Sequence, residues 1–412
     1  MSETDKNKET NKKDPEIMVL PSGLTLILDH NPNAILTSWR LEVNIGHVNC
    51  LKEEEGLPHI VEHLLMRRAV LSLPYKNFCD RMIKDSKTWV SAYTSPTNTV
   101  YYGDVPCYDI HSVIEMLSHM VTNPSFKNYL KEYEVIKTEL GIYLDSPSRH
   151  SFCLLYKAAF RVSRCYLEDA VWKNPSLDQI KKFIKKYYTT SNMSLQIEGK
   201  FNKDDLVEKI NKEFENTPTK LVSLPPVEVW KPSLQIQKKE ITNVYIGILY
   251  ALSHLNPRRF LVGRIFVQLF SYMLYEEETA IYSRDVDLMQ SSNTETMWIT
   301  FNINPSVVPQ TLKKVIDLFK KKIPSRYKKE FDKIKKVHAL FITDFQKQEL
   351  YERFGVLGST RLLEESMKSI KWEDIEIFQS YFVNQKPAIA IYGNIDAKSI
   401  KQVESFYSKL GE

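Results

Sequence analysis

Residues Gly56–Val70 read GLPHIVEHLLMRRAV. Ile60, Val61, Leu64 and Leu65 recur at helical spacing, and a helix with that stripe buries one face. The same turn also carries His59, Glu62 and His63. On a helix, positions i and i+4 lie one turn apart on one face, so both imidazoles reach toward a single cation. Zinc suits imidazole nitrogen, with Zn–N about 2.0–2.1 Å. Glu62 flanks the same face, placed to take a proton from a water that the ion polarises rather than to ligate. A polar triad set among aliphatics is costly to bury unless something satisfies it, and a metal does. The pattern H-x-x-E-H is the inverted form of a common zinc motif. The alternative is an amphipathic helix with two ordinary, partly exposed histidines.

The bulk numbers fit a protein with a real core. The chain has 412 residues, 43% hydrophobic and 26% charged, with a net charge of only +5. That bias is too weak to argue for nucleic acid or membrane binding. Five cysteines, none in a CxxC pair, read as reduced thiols in a cytoplasmic protein rather than a disulfide framework. The polar start, MSETDKNKETNKKD, reads as a disordered tail over residues 1–14 without a targeting signal. No apolar run approaches the roughly 20 residues of a membrane span.

Strand patterns come first: EIMVL, LTLILDH and LTSWRLEVNI. The helix of the opening stretch follows, then a second expected from Tyr75 to Lys84. TWVSAYTS and NTVYYGDV read as two strands joined at a Pro-Thr-Asn turn. Helices are expected from about Tyr108 to Val121 and from about Phe126 to Asp145. SLQIEGK reads as a further strand, and a proline-rich segment marks a linker over 217–232. Beyond it come the strand VYIGILYAL, a long helix from Pro257, the strand TMWITFNIN and several basic helices. Residues 187–214 resemble residues 381–407: an aromatic helix end, a polar break, an apolar strand closed by Gly199 or Gly393, then an amphipathic helix. The simplest reading is an α+β chain of two homologous domains, 15–216 and 233–412, each a mixed, largely antiparallel sheet with helices packed on it.

A third ligand is expected from another helix. KEYEVIKTELGIYLD offers Glu132, Glu134 and Glu139. At about 100° per residue, Glu132 and Glu139 fall within roughly 20° of each other, while Glu134 lies about 140° from Glu139. Two carboxylates thus share a face, one able to bind metal while the other supports it.

These features resemble the pitrilysin, insulysin and mitochondrial processing peptidase family of zinc metallopeptidases. Its H-x-x-E-H is followed some seventy-five residues later by a ligating glutamate, and 75 residues stand between His63 and Glu139. The family also has a supporting glutamate seven positions before that ligand, where Glu132 stands. SAYTSPTNTVYYGDV and MLSHMVTNPSF are similar to the family's strand pair and to the helix before its ligand helix. The resemblance implies one Zn2+ per chain held by His59, His63 and Glu139, with Glu62 as general base and Glu132 orienting the site. It implies an endopeptidase acting on extended peptides or leader segments inside a closed chamber, of which this chain forms half a clamshell. Substrate is expected to join a sheet edge as an added strand, where Ser91 before Ala92 replaces the family's frequent Asn-Ala. One departure stands out. The family pairs an arginine with a tyrosine seven residues later in a non-zinc half, whereas seven residues after Arg284 stands Ser291. A homologous partner subunit supplying that pair is therefore expected, in a heterodimer or, alternatively, a homodimer. The rival reading is a non-catalytic structural or peptide-binding subunit of a larger complex.

Two other signals carry less. His111, Glu115 and His119 form a second stripe, but its ends are two turns apart, so it reads as a helix surface. The basic run from Leu312 to Lys336 keeps apolar residues at helical spacing, so its lysines read as a solvated face.

Overall fold

A computed structural model of the protein describes residues 15–71, 89–124, 126, 129–160, 175–215, 217, 222, 229–252, 255–291, 294–340 and 366–411. The helix expected from Tyr75 to Lys84, the N-terminal tail and most of the linker lie outside them. The strands are β1 (Glu16–Val19), β2 (Thr25–His30), β3 (Leu36–Val43), β4 (Trp89–Thr94), β5 (Thr99–Pro106), β6 (Met193–Gly199), β7 (Leu234–Lys238), β8 (Val244–Leu252), β9 (Ser283–Ser291), β10 (Thr294–Ile303) and β11 (Ala388–Gly393). The helices are α1 (Leu57–Leu71), α2 (Ile110–Thr122), α3 (Tyr129–Leu144), α4 (Pro147–Ala159), α5 (Leu177–Tyr187), α6 (Lys203–Phe214), α7 (Pro257–Glu277), α8 (Val308–Lys320), α9 (Lys328–Leu340), α10 (Trp372–Val383) and α11 (Ala397–Ser408). No helix among the described residues is long and apolar enough to cross a membrane.

The chain divides into two compact units, Met1–Ile136 with Ala170–Pro225, and Lys137–Asp169 with Pro226–Glu412. A cut at the proline-rich segment would leave α4 with the first half. In the structure α4 packs on β8 and β11 of the second unit. Its C-terminal end is sewn there by Lys231 N–H to Ala159 O at 2.8 Å and Ser233 N–H to Ala158 O at 2.7 Å.

Each unit is built on one sheet. The first has the order β1-β2-β6-β3-β5-β4 and the second β7-β11-β8-β10-β9. Setting β1 aside, the two orders correspond strand for strand. In each, one parallel pair (β2 with β6, β7 with β11) is followed by three antiparallel ones. The repeat read from residues 187–214 and 381–407 is therefore a repeat of topology. Strand β6 alternates buried and half-buried residues, as a strand with one covered face must. Strand β11 is buried throughout, which matches its unbroken apolar run and its place inside the sheet. Behind the second sheet the rings of Phe266, Phe270, Phe319 and Phe382 cluster, Phe270 and Phe319 with centroids 4.0 Å apart.

Sequence reasoning passed over two strands. Strand β7 is short and partly exposed. Strand β9 carries Arg284, Asp285 and Asp287, and its strand character rests on the alternating buried Val286 and Leu288. The expectation of reduced thiols throughout also needs correction. Cys50 and Cys107 are free, but Cys153 is disulfide-bonded. Such a bond needs only Cβ atoms brought close in space, so CxxC spacing is no guide to it.

The two closing glycines explain the end of each repeat. Gly199 has φ +137° and Gly393 has φ +144°, a region that side chains with a Cβ rarely adopt. A Cβ would stand 2.7 Å from Leu36 O in the first case and 2.7 Å from Asn243 O in the second. Each strand must leave its sheet beside the start of a neighbour, and only glycine leaves room. Gly199→Ala and Gly393→Ala are each expected to destabilise their unit by about 1–3 kcal/mol. Thermal melts of the single variants check this, and unchanged melting temperatures would contradict it.

Candidate metal centre

Helix α1 sorts its residues by face. Leu57, Ile60, Val61, Leu64 and Leu65 are buried at i, i+3, i+4, i+7 and i+8. That stripe packs toward α2, α5 and strands β4 and β5. The remaining face presents His59, Glu62 and His63. Gly56, with φ +81°, turns the chain into the helix, and its carbonyl accepts from Ile60 N–H at 3.2 Å.

One ligand atom from each of His59, Glu62 and His63 lies within 4.8 Å of the others. The two imidazole centroids are 4.7 Å apart with the rings perpendicular. Glu62 Oε2 stands 3.9 Å from His59 Nε2. Among the described residues no other His, Cys, Asp or Glu joins a group of this kind, the stripe His111–Glu115–His119 included. Glu115 of that stripe is instead engaged by Lys209.

Glu132 stands on α3, only 4% exposed, with Oε1 3.4 Å from His63 Nδ1. A carboxylate there fixes the ring and leaves Nε2 as the nitrogen to offer a metal. Glu139 is on the same helix, seven residues further on and half-buried, and it is not in the three-residue group. Glu134 is exposed.

Three residues that sequence reasoning missed complete the surroundings. His47, in the loop after β3, has its ring 6.3 Å from that of His59. The loop is held by His47 N–H to Ser95 O at 3.1 Å and Val48 N–H to Pro96 O at 2.8 Å. A Cβ at Gly46 would run into the carbonyls of Ser95 and Pro96, so only glycine permits this approach. Thr94, the last residue of β4, donates its hydroxyl to Glu62 Oε2 at 3.4 Å. Tyr101, buried on β5, shares a 2.9 Å hydrogen bond with the hydroxyl of Tyr188. A lone histidine in a loop and a threonine at a strand end carry no sequence signal of their own.

The electrostatics favour neutral imidazoles. Burial pushes His59 down to about 3, assisted by His63 and His47. Burial pushes His47 down to about 4, against a backbone hydrogen bond with Thr94. Both are neutral at pH 7, the form that binds metals. Tyr101 and Tyr188 are held above the usual phenol range, by burial first and then in part by the charge of Glu62. The imidazole nitrogens of His59 and His63, beside the buried carboxylate of Glu62, suit a borderline-soft divalent ion such as zinc.

Among its described residues the second unit has no such helix. Its α7 carries neither His nor Cys, and its acids stand at its C-terminal end. Arg284 is engaged within that unit: its Nε donates to Ser271 O at 3.1 Å, and its guanidinium lies over the Tyr275 ring at 4.8 Å.

Comparison with known proteins identifies the family. Residues 25–168 match the profile described as Insulinase (Peptidase family M16), and residues 175–337 match Peptidase M16 inactive domain. The chain is 24% identical over 238 residues to mitochondrial-processing peptidase subunit beta of Dictyostelium discoideum, covering 56% of this chain and 48% of that one. It is 23% identical over 210 residues to an uncharacterized zinc protease of Rickettsia felis, covering 49% of this chain and 50% of that one. The aligned part thus spans about half the length of these relatives. Its fold is similar to the crystal structure of a protease from Helicobacter pylori, with a TM-score of 0.76 at 17% identity, covering 92% of this chain and 99% of that one. Two family profiles in tandem, a repeated sheet and an H-x-x-E-H helix together place the chain in the insulinase family of peptidases, M16.

Proposed function

We propose that this chain is a zinc-dependent metalloendopeptidase subunit that hydrolyses extended peptides or leader segments. The observation that carries the reading is the cluster of His59, Glu62 and His63 on one helix face, with His63 braced by Glu132. One zinc per chain would be held by His59, His63 and Glu139. When bound, zinc supplies Lewis acidity toward the scissile carbonyl and acidifies water. Glu62 accepts a proton from that water and returns it to the leaving amine. The hydroxyl of Thr94 holds the Glu62 carboxylate toward β4.

Strand β4 is the site at which an extended peptide joins the sheet, main chain to main chain. It ends the six-stranded order among the described residues, and its last residue touches Glu62. Substrate is enclosed in a chamber formed with a homologous subunit, which supplies the Arg and Tyr that Arg284 and Ser291 do not provide. A relative named as a subunit is consistent with this pairing. The cytoplasm expected from cysteine usage sits poorly with the disulfide at Cys153, since such bonds persist in oxidising compartments.

Glu62→Gln is expected to keep about one zinc per chain by elemental analysis while turnover of a quenched-fluorescent peptide falls by about 10²–10⁴-fold. Wild-type rates would remove Glu62 from the chemistry. Glu139→Gln should lose zinc outright, whereas Glu132→Gln should weaken its binding by about 10–100-fold. The reverse order would exchange the roles of the two glutamates. The purified chain alone should be markedly less active than the chain with a homologous partner co-purified from its source. Equal activity with and without that partner would contradict the pairing.

A further inference from the structure

The second unit carries a surface groove of about 710 Å3 where α8 and α11 pack together. Lys313 of α8 and Lys398, Lys401 and Lys409 at α11 line it, and no acidic side chain does. All four lysines are exposed. At about 100° per residue the three lysines of α11 fall within about 80° of one another, while Val403 and Tyr407 are buried on the far side. At about 1.5 Å per residue their stripe runs for about 16 Å.

Two observations set this stripe apart from an ordinary solvated face. Several basic side chains of the same unit are paired, as Lys314 is with Glu278 at 3.1 Å, Lys322 with Glu376 at 3.1 Å and Arg258 with Asp374 at 3.0 Å. In the groove Lys313 has only Asp317 of its own helix, and among the described residues Lys398, Lys401 and Lys409 are in no salt bridge. The topological repeat supplies the second. Helix α6 follows Gly199 as α11 follows Gly393, and each is capped by the residue three positions beyond its glycine, Asn202 or Asp396. The first turn of a helix carries a partial positive charge and favours acids. Helix α6 obeys with Asp204 and Asp205, whereas α11 has no acid in its first turn and places Lys398 there. That lysine is unfavourable to its own helix, and it keeps the groove of one sign.

A cleft lined by one sign of charge focuses its field and gathers groups of the other sign. What the wall lacks narrows the occupant. It has no arginine, the side chain that forks onto phosphates. Neither α8 nor α11 exposes a large apolar side chain to enter a bilayer or a ring on which a base could stack. Phe406, half-buried, and the lysine stems instead give the groove an apolar side.

We infer that this groove docks an acidic segment of a partner protein, its carboxylates on the lysines and an apolar side chain against Phe406. The inference does not rest on the zinc reading. Fluorescence anisotropy of the labelled peptide Glu-Glu-Glu-Leu-Glu-Glu-Glu, added to the full chain at low salt, tests it. The peptide should bind, its glutamine counterpart at least about 10-fold more weakly, and added salt should weaken the complex. Lys398→Glu with Lys401→Glu should cost about 10-fold or more in affinity while the melting temperature stays level or rises. The same charge change made outside the groove, Lys329→Glu with Lys336→Glu on α9, should cost far less. Oligothymidylate and phosphatidylglycerol vesicles supply the other polyanions. Tighter binding of either than of the peptide, lost in the Lys398 and Lys401 variant, would overturn the inference in favour of nucleic acid or membrane. No binding at millimolar peptide, equal affinity for the glutamate and glutamine peptides, or equal losses in the two double variants would also overturn it.

Discussion

A buried carboxylate between two half-buried imidazoles on one helix is the constraint around which the first unit is arranged. Glu62 is 7% exposed, and a charge so placed is tolerated only with partners. Thr94 supplies one from the end of β4, and His59 beside it stays neutral because burial disfavours its charged form. A cation between these groups would complete the compensation. The apolar stripe from Leu57 to Leu65 fixes the rotation of α1, so the polar face has no freedom to turn to solvent. Loops 46–50 and 95–98 are stitched together beside it, and the crowding at Gly46 shows how tightly.

The two copies of the fold have divided their tasks. They keep one sheet order and the same glycine at the end of the parallel strand, because the backbone crowding there admits nothing else. They differ where side chains are free to vary. The first copy keeps donors on its helix behind the sheet, whereas α7 in the second is an apolar support. In the second copy Gly247 of β8 leaves room for Leu155, so α4 covers that face of the sheet.

Much of this was legible in the residues. Helical spacing of Ile60, Val61, Leu64 and Leu65 fixed which side chains share the polar face, and i+4 spacing put the histidines together. Helical spacing put Glu132 and Glu139 on one face and family resemblance gave Glu132 the supporting role, but its contact with His63 was not legible, because no local pattern links residues 69 positions apart. His47 and Thr94 stayed hidden for the same reason: loop crossings bring them in, and a single sequence holds no record of such contacts. The disulfide at Cys153 and the strand β9 were concealed differently. The first depends on spatial proximity alone, and the second wears charges on its open face. The membership of α4 in the second unit was equally unreadable, since its amphipathic pattern states that it packs but not on which sheet.

Zinc-edge X-ray absorption on the purified, zinc-loaded chain tests the central claim most directly. The account predicts nitrogen and oxygen neighbours only, with the outer-shell scattering of two imidazoles and Zn–N near about 2.0–2.1 Å. Sulfur in the first shell, a single imidazole, or a chain that takes up no zinc would contradict it.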